Sequence, residues 1–190
     1  MPRTLAPVKK KTAQSPGRER ALYRVTAMVV KASPKRLPQT AGLLIYRVKG
    51  HGPEVLLVHP GGPFWANKDA HAWSIPKGEF GDDEEPLAAA RREVAEETGL
   101  DPQGPLTALQ PIRRPGHKTI HAWAIESDCD LSVIAGNSFT MEWPPKSGRM
   151  QEFPEVDRAA WFPLDVAKTK IHKGQRDLLD QLERRLAGAA

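Results

Sequence analysis

The sequence predicts an α/β fold in which a mixed β-sheet is covered by helices. Three observations lead there. Short β-branched and apolar runs recur between residues 41 and 162. Two segments, 86–98 and 175–186, carry helix signatures. The two kinds of element are interleaved without the regular strand–helix–strand repeat of a purely parallel sheet.

Residues 1–20 are rich in Pro, Lys, Arg, Ser and Gly and read as disordered. Residues 22–30 have strand-forming composition, and 31–40 return to a linker-like mixture. Residues 1–39 are therefore expected to be a basic, flexible extension. Residues 41–49 and 54–59 are apolar runs around Gly50-His51-Gly52-Pro53, which predicts a strand pair joined by a turn. A loop over 60–72 follows, and 73–76 predicts a short strand stopped by Pro76 and Gly78. Residues 86–98 predict a helix, with Pro86 in its first turn and Gly99 just past its end. Leu87, Ala90, Val94 and Thr98 would form its buried stripe. Glu85 stands where Ser, Thr or Asp usually caps such a helix, and is a poorer cap. Residues 106–112 and 118–126 read as strands. Residues 136–154 read as a loop of about twenty residues, long enough to suggest a functional or mobile segment. A last strand is expected over 156–162. Leu178, Leu179, Leu182 and Leu186 give the final helix one apolar face.

Charge excludes less than its total suggests. The chain has a net charge of +5, but residues 1–24 hold seven basic residues and one acidic one. The other 166 residues hold 21 basic and 22 acidic side chains, so the body is near neutral. The basic tail leaves weak RNA binding open; a solvated extension is the plainer reading. No apolar run approaches the roughly 18 residues of a membrane span. Lys9-Lys10-Lys11 has no apolar stretch behind it, so no secretory signal is expected and a cytoplasmic location is. The single cysteine, Cys129, allows neither an internal disulfide nor a multi-cysteine metal site. It lies between Asp128 and Asp130, so an activated thiol is not expected.

The polar face of the helix at 86–98 is unusual. Glu93, Glu96 and Glu97 are spaced i, i+3, i+4 and point to one side. Like charges at these spacings repel, and the helix dipole disfavours acids in the last turns. Something positive should offset them. Arg92 is one candidate. A hard divalent cation is the better one, since oxygen-only ligands suit Mg²⁺, with Mn²⁺ as a substitute.

The wider spacing is Gly78, five residues, Glu84, seven residues, Arg92-Glu93-Val94, one residue, Glu96-Glu97, one residue, Gly99-Leu100. This stretch resembles the complete box of the Nudix hydrolase superfamily, G-x5-E-x7-R-E-U-x-E-E-x-G-U with U apolar. Seven residue types at fixed spacing arise by chance at about 10⁻⁸ per start position, at roughly 7% usage each. The resemblance implies the Nudix fold over residues 40–187, a mixed sheet sandwiched between helices. It also implies a Mg²⁺-dependent hydrolase that splits a diphosphate linkage in a nucleoside diphosphate derivative. Gly78 (through its carbonyl), Glu93, Glu96 and Glu97 would hold metal, and Glu84 would steady the loop or reach a metal through water. Glu93 is the first choice of general base. Some relatives draw the base from a later loop, where Glu142, Glu152 and Glu155 are available. Arg92 would orient the carboxylates.

The flanks speak to the substrate. Trp73-Ser74-Ile75-Pro76-Lys77-Gly78 resembles the W-x-x-P-K-G lead-in of members acting on dinucleoside polyphosphates, diphosphoinositol phosphates and capped RNA. Lys77 would bind a phosphate oxygen. Trp73 reads as either core or stacking platform, and Phe64, Trp65 and Trp143 as further stacking candidates. Arg113, Arg114, His117 and Lys118 surround Pro115 and would meet outer phosphates or form a solvated hairpin. His59, His71 and His121 read as packed or hydrogen-bonded histidines. The expected partner is a small nucleotide, most of all a dinucleoside polyphosphate or nucleoside triphosphate. ADP-ribose or another nucleotide sugar comes second, and a diphosphoinositol phosphate or RNA 5′ end third. A nucleotide sensor without catalysis is the alternative of another class. Sensors usually lose a box glutamate, and none is missing here.

Overall fold

The computed structural model describes residues 39–113 and 118–188. Residues 1–38 of the extension, with the strand expected at 22–30, and Arg114 to His117 lie outside the described residues. Strand β1 (Gln39–Lys49) is the centre of a six-stranded mixed sheet. One edge of β1 pairs in parallel with β5 (Thr119–Glu126), from Gln39–Thr119 to Tyr46–Glu126. Its other edge is shared. Residues 39–42 pair with β3 (Lys77–Phe80), and residues 46–49 with β2 (Gly52–Pro60), both antiparallel. β2 continues to β8 (Val156–Pro163), and β5 to the short β4 (Leu106–Ala108).

Side chains alternate across the pleat, so each strand feeds two cores. Ala41, Leu43, Ile45, Leu56 and Ile125 face α1 (Pro86–Thr98), which contributes Ala89, Ala90 and Val94. Leu44, Val55, Leu57, Ala122 and Ala124 face the opposite way. There they meet α2 (Leu164–Lys170) and α3 (Arg176–Gly188) through Leu164, Ala167, Leu178, Leu179 and Leu182. Each fully buried Leu or Ile contributes roughly 1.5–3 kcal/mol. Both faces are thus covered and the layers run helix, sheet, helix. No helix among the described residues is long and apolar enough to cross a membrane.

Two expectations are corrected, and one helix is added. The segment at 73–76 is not a strand; Trp73 and Ser74 make only isolated bridges, to Ile171 and Val58. The paired strand is β3, whose Lys-Gly-Glu-Phe sequence lacks the alternation that would mark it and is held by β1 instead. Residues 136–154 are not a loop. β6 (Ser138–Glu142) and β7 (Met150–Pro154) form a two-stranded sheet of their own, with Phe139 opposite Phe153. Pro144-Pro145 at its turn disguised the strands on either side. Helix α2 was not anticipated, because its seven residues are too few to display a helical period.

Candidate active site

Helix α1 begins with Pro86 and ends at Gly99, whose φ of 71° lets its N–H reach the Ala95 carbonyl at 2.8 Å. Glu85 makes no side-chain cap bond, in keeping with its poor capping chemistry. Ala90, Val94 and Thr98 point into the core, which turns Glu93, Glu96 and Glu97 away from it, toward the loops and strands flanking α1. Leu87, expected in the buried stripe, is only partly buried and packs at the edge of that core.

Arg92 collects three of the acids. Its guanidinium donates to both oxygens of Glu84, at 2.8 and 2.9 Å. It also reaches Glu93 at 2.6 Å, Glu96 at 3.0 Å and the Glu79 carbonyl at 3.3 Å. The hydrogen bond from Arg92 holds the Glu84 carboxyl below its ordinary range, and the acids in turn raise the Arg92 pKa, Glu84 most. Burial pushes Glu93 up, although Arg92 opposes the shift. A lysine is a compact point charge and lacks the planar fork that serves several carboxylates at once. Arg92→Lys should therefore lower stability by about 1 kcal/mol. Urea unfolding of metal-free protein checks this, and an unchanged midpoint would contradict it.

Glu97 sits apart from that cluster. Its Oε2 accepts the backbone N–H of Lys77 at 2.9 Å. Burial pushes its pKa up to about 7, and the Glu93 and Glu155 charges add to the shift. Between its ordinary 4.5 and about 7 the folded chain keeps a proton that the unfolded chain has released. The stability due to this group is thus full below 4.5 and falls as pH rises toward 7. Glu97→Gln lacks this dependence. In metal-free buffer its stability relative to the parent chain should rise between pH 5 and pH 8, by on the order of 1–3 kcal/mol. Parallel profiles in urea would count against a buried Glu97 carboxyl.

Among the described residues, no three His, Cys, Asp or Glu groups stand ready as a metal cluster; Arg92 is ion-paired with Glu84, Glu93 and Glu96. The residues nonetheless fit a hard divalent cation. All their donors are oxygens. The backbone at Gly78 lies against Glu93, so that a Cβ there would fall 1.7 Å from Glu93 Oε2. Such an approach brings the Gly78 peptide and a carboxylate together, as a shared cation requires. Glu97, held partly protonated by burial, would regain its charge beside a cation.

A cleft of about 690 Å³ opens onto Glu97 and Lys77. Its walls include Trp65, Ile112, Lys118, Ile120, Glu155, His172 and Gln175. Residues 135–137 bring Glu155 there. Ala135 and Asn137 donate to the Thr98 and Glu96 carbonyls at the end of α1, and Glu155 N–H bonds Asn137 O at 2.8 Å. Of the three later glutamates only Glu155 lines the cleft. Glu142 accepts the Gly148 N–H at 2.6 Å and Glu152 pairs with the Ser138 hydroxyl, both on the β6–β7 hairpin.

The other candidates separate. Lys77 and Lys118 line the cleft, with Lys118 ion-paired to Glu79. Arg113 is exposed beside His121, whose pKa it helps to lower after burial, and it does not line the cleft. His117 and Arg114 lie outside the described residues. Of the two readings of Trp73, core or substrate contact, its burial supports the core. It is 4% exposed, its N–H donates to Asp69 at 2.8 Å, and His59 and Phe162 pack edge-on against it. Of the stacking candidates, Trp65 lines the cleft, whereas Phe64 and Trp143 pack on each other at 5.3 Å. His59 is fully buried and hydrogen-bonded between Asp157 and the Lys68 carbonyl. His172 and Gln175 of the cleft were not anticipated, because nothing in the local sequence separates them from an ordinary helix approach.

The NUDIX domain profile matches residues 36–182. Among solved structures, the chain is similar to a Caenorhabditis elegans Ap4A hydrolase in a binary complex. Identity is 23% and the TM-score 0.54, over 79% of this chain and 99% of that one. It is also similar to the NUDIX domain of Shewanella oneidensis NrtR complexed with ADP ribose. There the identity is 19% and the TM-score 0.56, over 82% and 94% of the two chains. A mutT/nudix family protein from Listeria innocua matches at 17% identity and TM-score 0.53, over 83% and 98%. At these identities the structural matches speak to the fold.

Proposed function

Because this chain belongs to the NUDIX family, we propose that it is a divalent-metal-dependent hydrolase of the diphosphate linkage in a nucleotide. The observation that carries the reading is the meeting of α1 with the cleft: Glu97 is anchored to the Lys77 backbone where the cleft opens, beside an undiminished set of box glutamates. Gly78, Glu84, Glu93, Glu96 and Glu97 would hold the metal, Mg²⁺ by preference and Mn²⁺ as substitute. When bound it supplies positive charge against the phosphate oxygens and acidifies a water.

The chain's own residues do the rest. Arg92 keeps Glu84, Glu93 and Glu96 together and lowers their mutual repulsion. The Lys77 amide fixes the Glu97 carboxylate, and Lys77 lines the cleft, where its ammonium would serve as a point charge for a phosphate oxygen. Lys118 would give up Glu79 to do the same. Glu93 is the first candidate to take the proton of the attacking water. Glu155 is the alternative, since it shares the cleft with Glu97.

The preferred substrate is a dinucleoside polyphosphate or nucleoside triphosphate, on the strength of the lead-in ending at Lys77-Gly78. ADP-ribose, the ligand named for the Shewanella oneidensis NrtR domain, is the second candidate. The test is a phosphate-release panel with Mg²⁺ on diadenosine polyphosphates, nucleoside triphosphates, ADP-ribose and diphosphoinositol phosphate, with products identified by mass. Turnover of one class, lost in Glu97→Gln, supports the enzyme and names its substrate. Silence from folded, metal-loaded protein would move the reading to a nucleotide sensor.

A further inference from the structure

Gln175 closes the short 3₁₀ turn Lys173–Gln175 that leads into α3, and it is 4% exposed. Its Oε1 accepts the backbone N–H of Ile75 at 3.1 Å. A backbone N–H can only donate, so this bond decides how the carboxamide faces: oxygen toward Ile75, –NH₂ away from it. Gln175 lines the cleft, and no hydrogen bond engages its –NH₂ among the described residues. Gln175 Nε2 is not one of the buried unpartnered side-chain atoms, so it is open to the cleft, where an acceptor carried by a ligand can reach it.

The neighbouring walls restrict that ligand. Trp65, Ala72, Ile112 and Ile120 supply apolar area from separate parts of the chain, and Lys77 and Glu97 join the same space to the acidic site. A ligand with phosphates at the acidic site would carry a flat, apolar-faced group into the remainder. An acceptor atom on the rim of that group would meet Gln175. A nucleobase has this chemistry: faces that stack on an aromatic ring, and an edge of ring-nitrogen and carbonyl lone pairs.

We propose that Gln175 is a specificity-determining residue, donating a hydrogen bond from its carboxamide –NH₂ to an acceptor on the edge of the substrate's nucleobase. The inference rests on the nucleotide reading above and adds the residue that reads the base.

Gln175→Glu is the informative variant. It keeps an oxygen for the Ile75 N–H and replaces the donor with an acceptor of nearly the same shape. Isothermal titration with AMP, GMP and ribose 5-phosphate separates the base from the sugar phosphate. The parent chain should bind AMP or GMP about tenfold more tightly than ribose 5-phosphate. Gln175→Glu should lose that tenfold preference, with ribose 5-phosphate affinity within about twofold of the parent. A variant that binds the preferred nucleotide as tightly as the parent does would overturn the role of Gln175 and leave the nucleotide reading standing. A parent chain that binds neither nucleotide better than ribose 5-phosphate would overturn both. Should Gln175→Glu fail to melt cooperatively, Gln175→Met removes the donor too, together with the acceptor for the Ile75 N–H, and should likewise lose the tenfold preference.

Discussion

Glu97→Gln is expected to lower kcat by about 10²-fold or more while the chain stays folded. The substitution is nearly isosteric. A glutamine oxygen can still accept the Lys77 N–H that Glu97 accepts at 2.9 Å, so the link between α1 and β3 survives. What disappears is the negative charge where the cleft opens. Because that charge is partly buried and its proton is held up to about pH 7, its removal relieves the metal-free protein. Loss of turnover should thus come with equal or greater thermal stability near neutral pH. A variant that keeps more than a tenth of the parent rate would place the chemistry elsewhere in the cleft.

Gly78→Ala should cost about 10²-fold in kcat for a different reason. A Cβ at this position would lie 1.7 Å from Glu93 Oε2 and 2.0 Å from its carboxyl carbon. The clashing atoms are the far end of a flexible side chain, so Glu93 can swing aside and the fold is kept. The carboxylate then no longer sits where Arg92 and the Gly78 peptide hold it. The melting temperature should shift by only a few degrees, while activity falls steeply. If displacement of Glu93 is the whole cause, adding Glu93→Ala to Gly78→Ala should reduce the rate little further than either change alone. Additive losses would show that the Gly78 backbone matters independently of Glu93.

The two variants mark the difference between a residue legible in sequence and its geometry. Arg92, Glu93, Glu96 and Glu97 are recognisable by helical spacing, since that periodicity is local and survives without knowledge of the fold, and Gly78 and Glu84 by the resemblance to the Nudix box. The clash at Gly78 is not, because β3 is placed beside α1 by its pairing with β1. Trp73 shows the converse. Its sequence context left core and stacking platform both open, and burial between His59 and Phe162 gives it to the core. The β6–β7 hairpin was hidden by Pro144-Pro145, and with it went any way to choose among Glu142, Glu152 and Glu155.

By itself the sequence determined the layered α/β class, helix α1 with its caps, the acidic constellation on one helical face, and the family to which that constellation belongs. The helix, its ends and its acidic face are properties of neighbours within about twenty residues, which local sterics and side-chain periodicity suffice to read; the class follows from the order of such elements and the family from the resemblance of the box. Only the tertiary structure decided which other groups share the cleft with Glu97. Lys118, Glu155 and Gln175 stand just before β5, just before β8 and on the approach to α3, and they meet because β1 is paired along both edges and covered on both faces. Their meeting depends on long-range pairing and burial, which no local pattern of residues records.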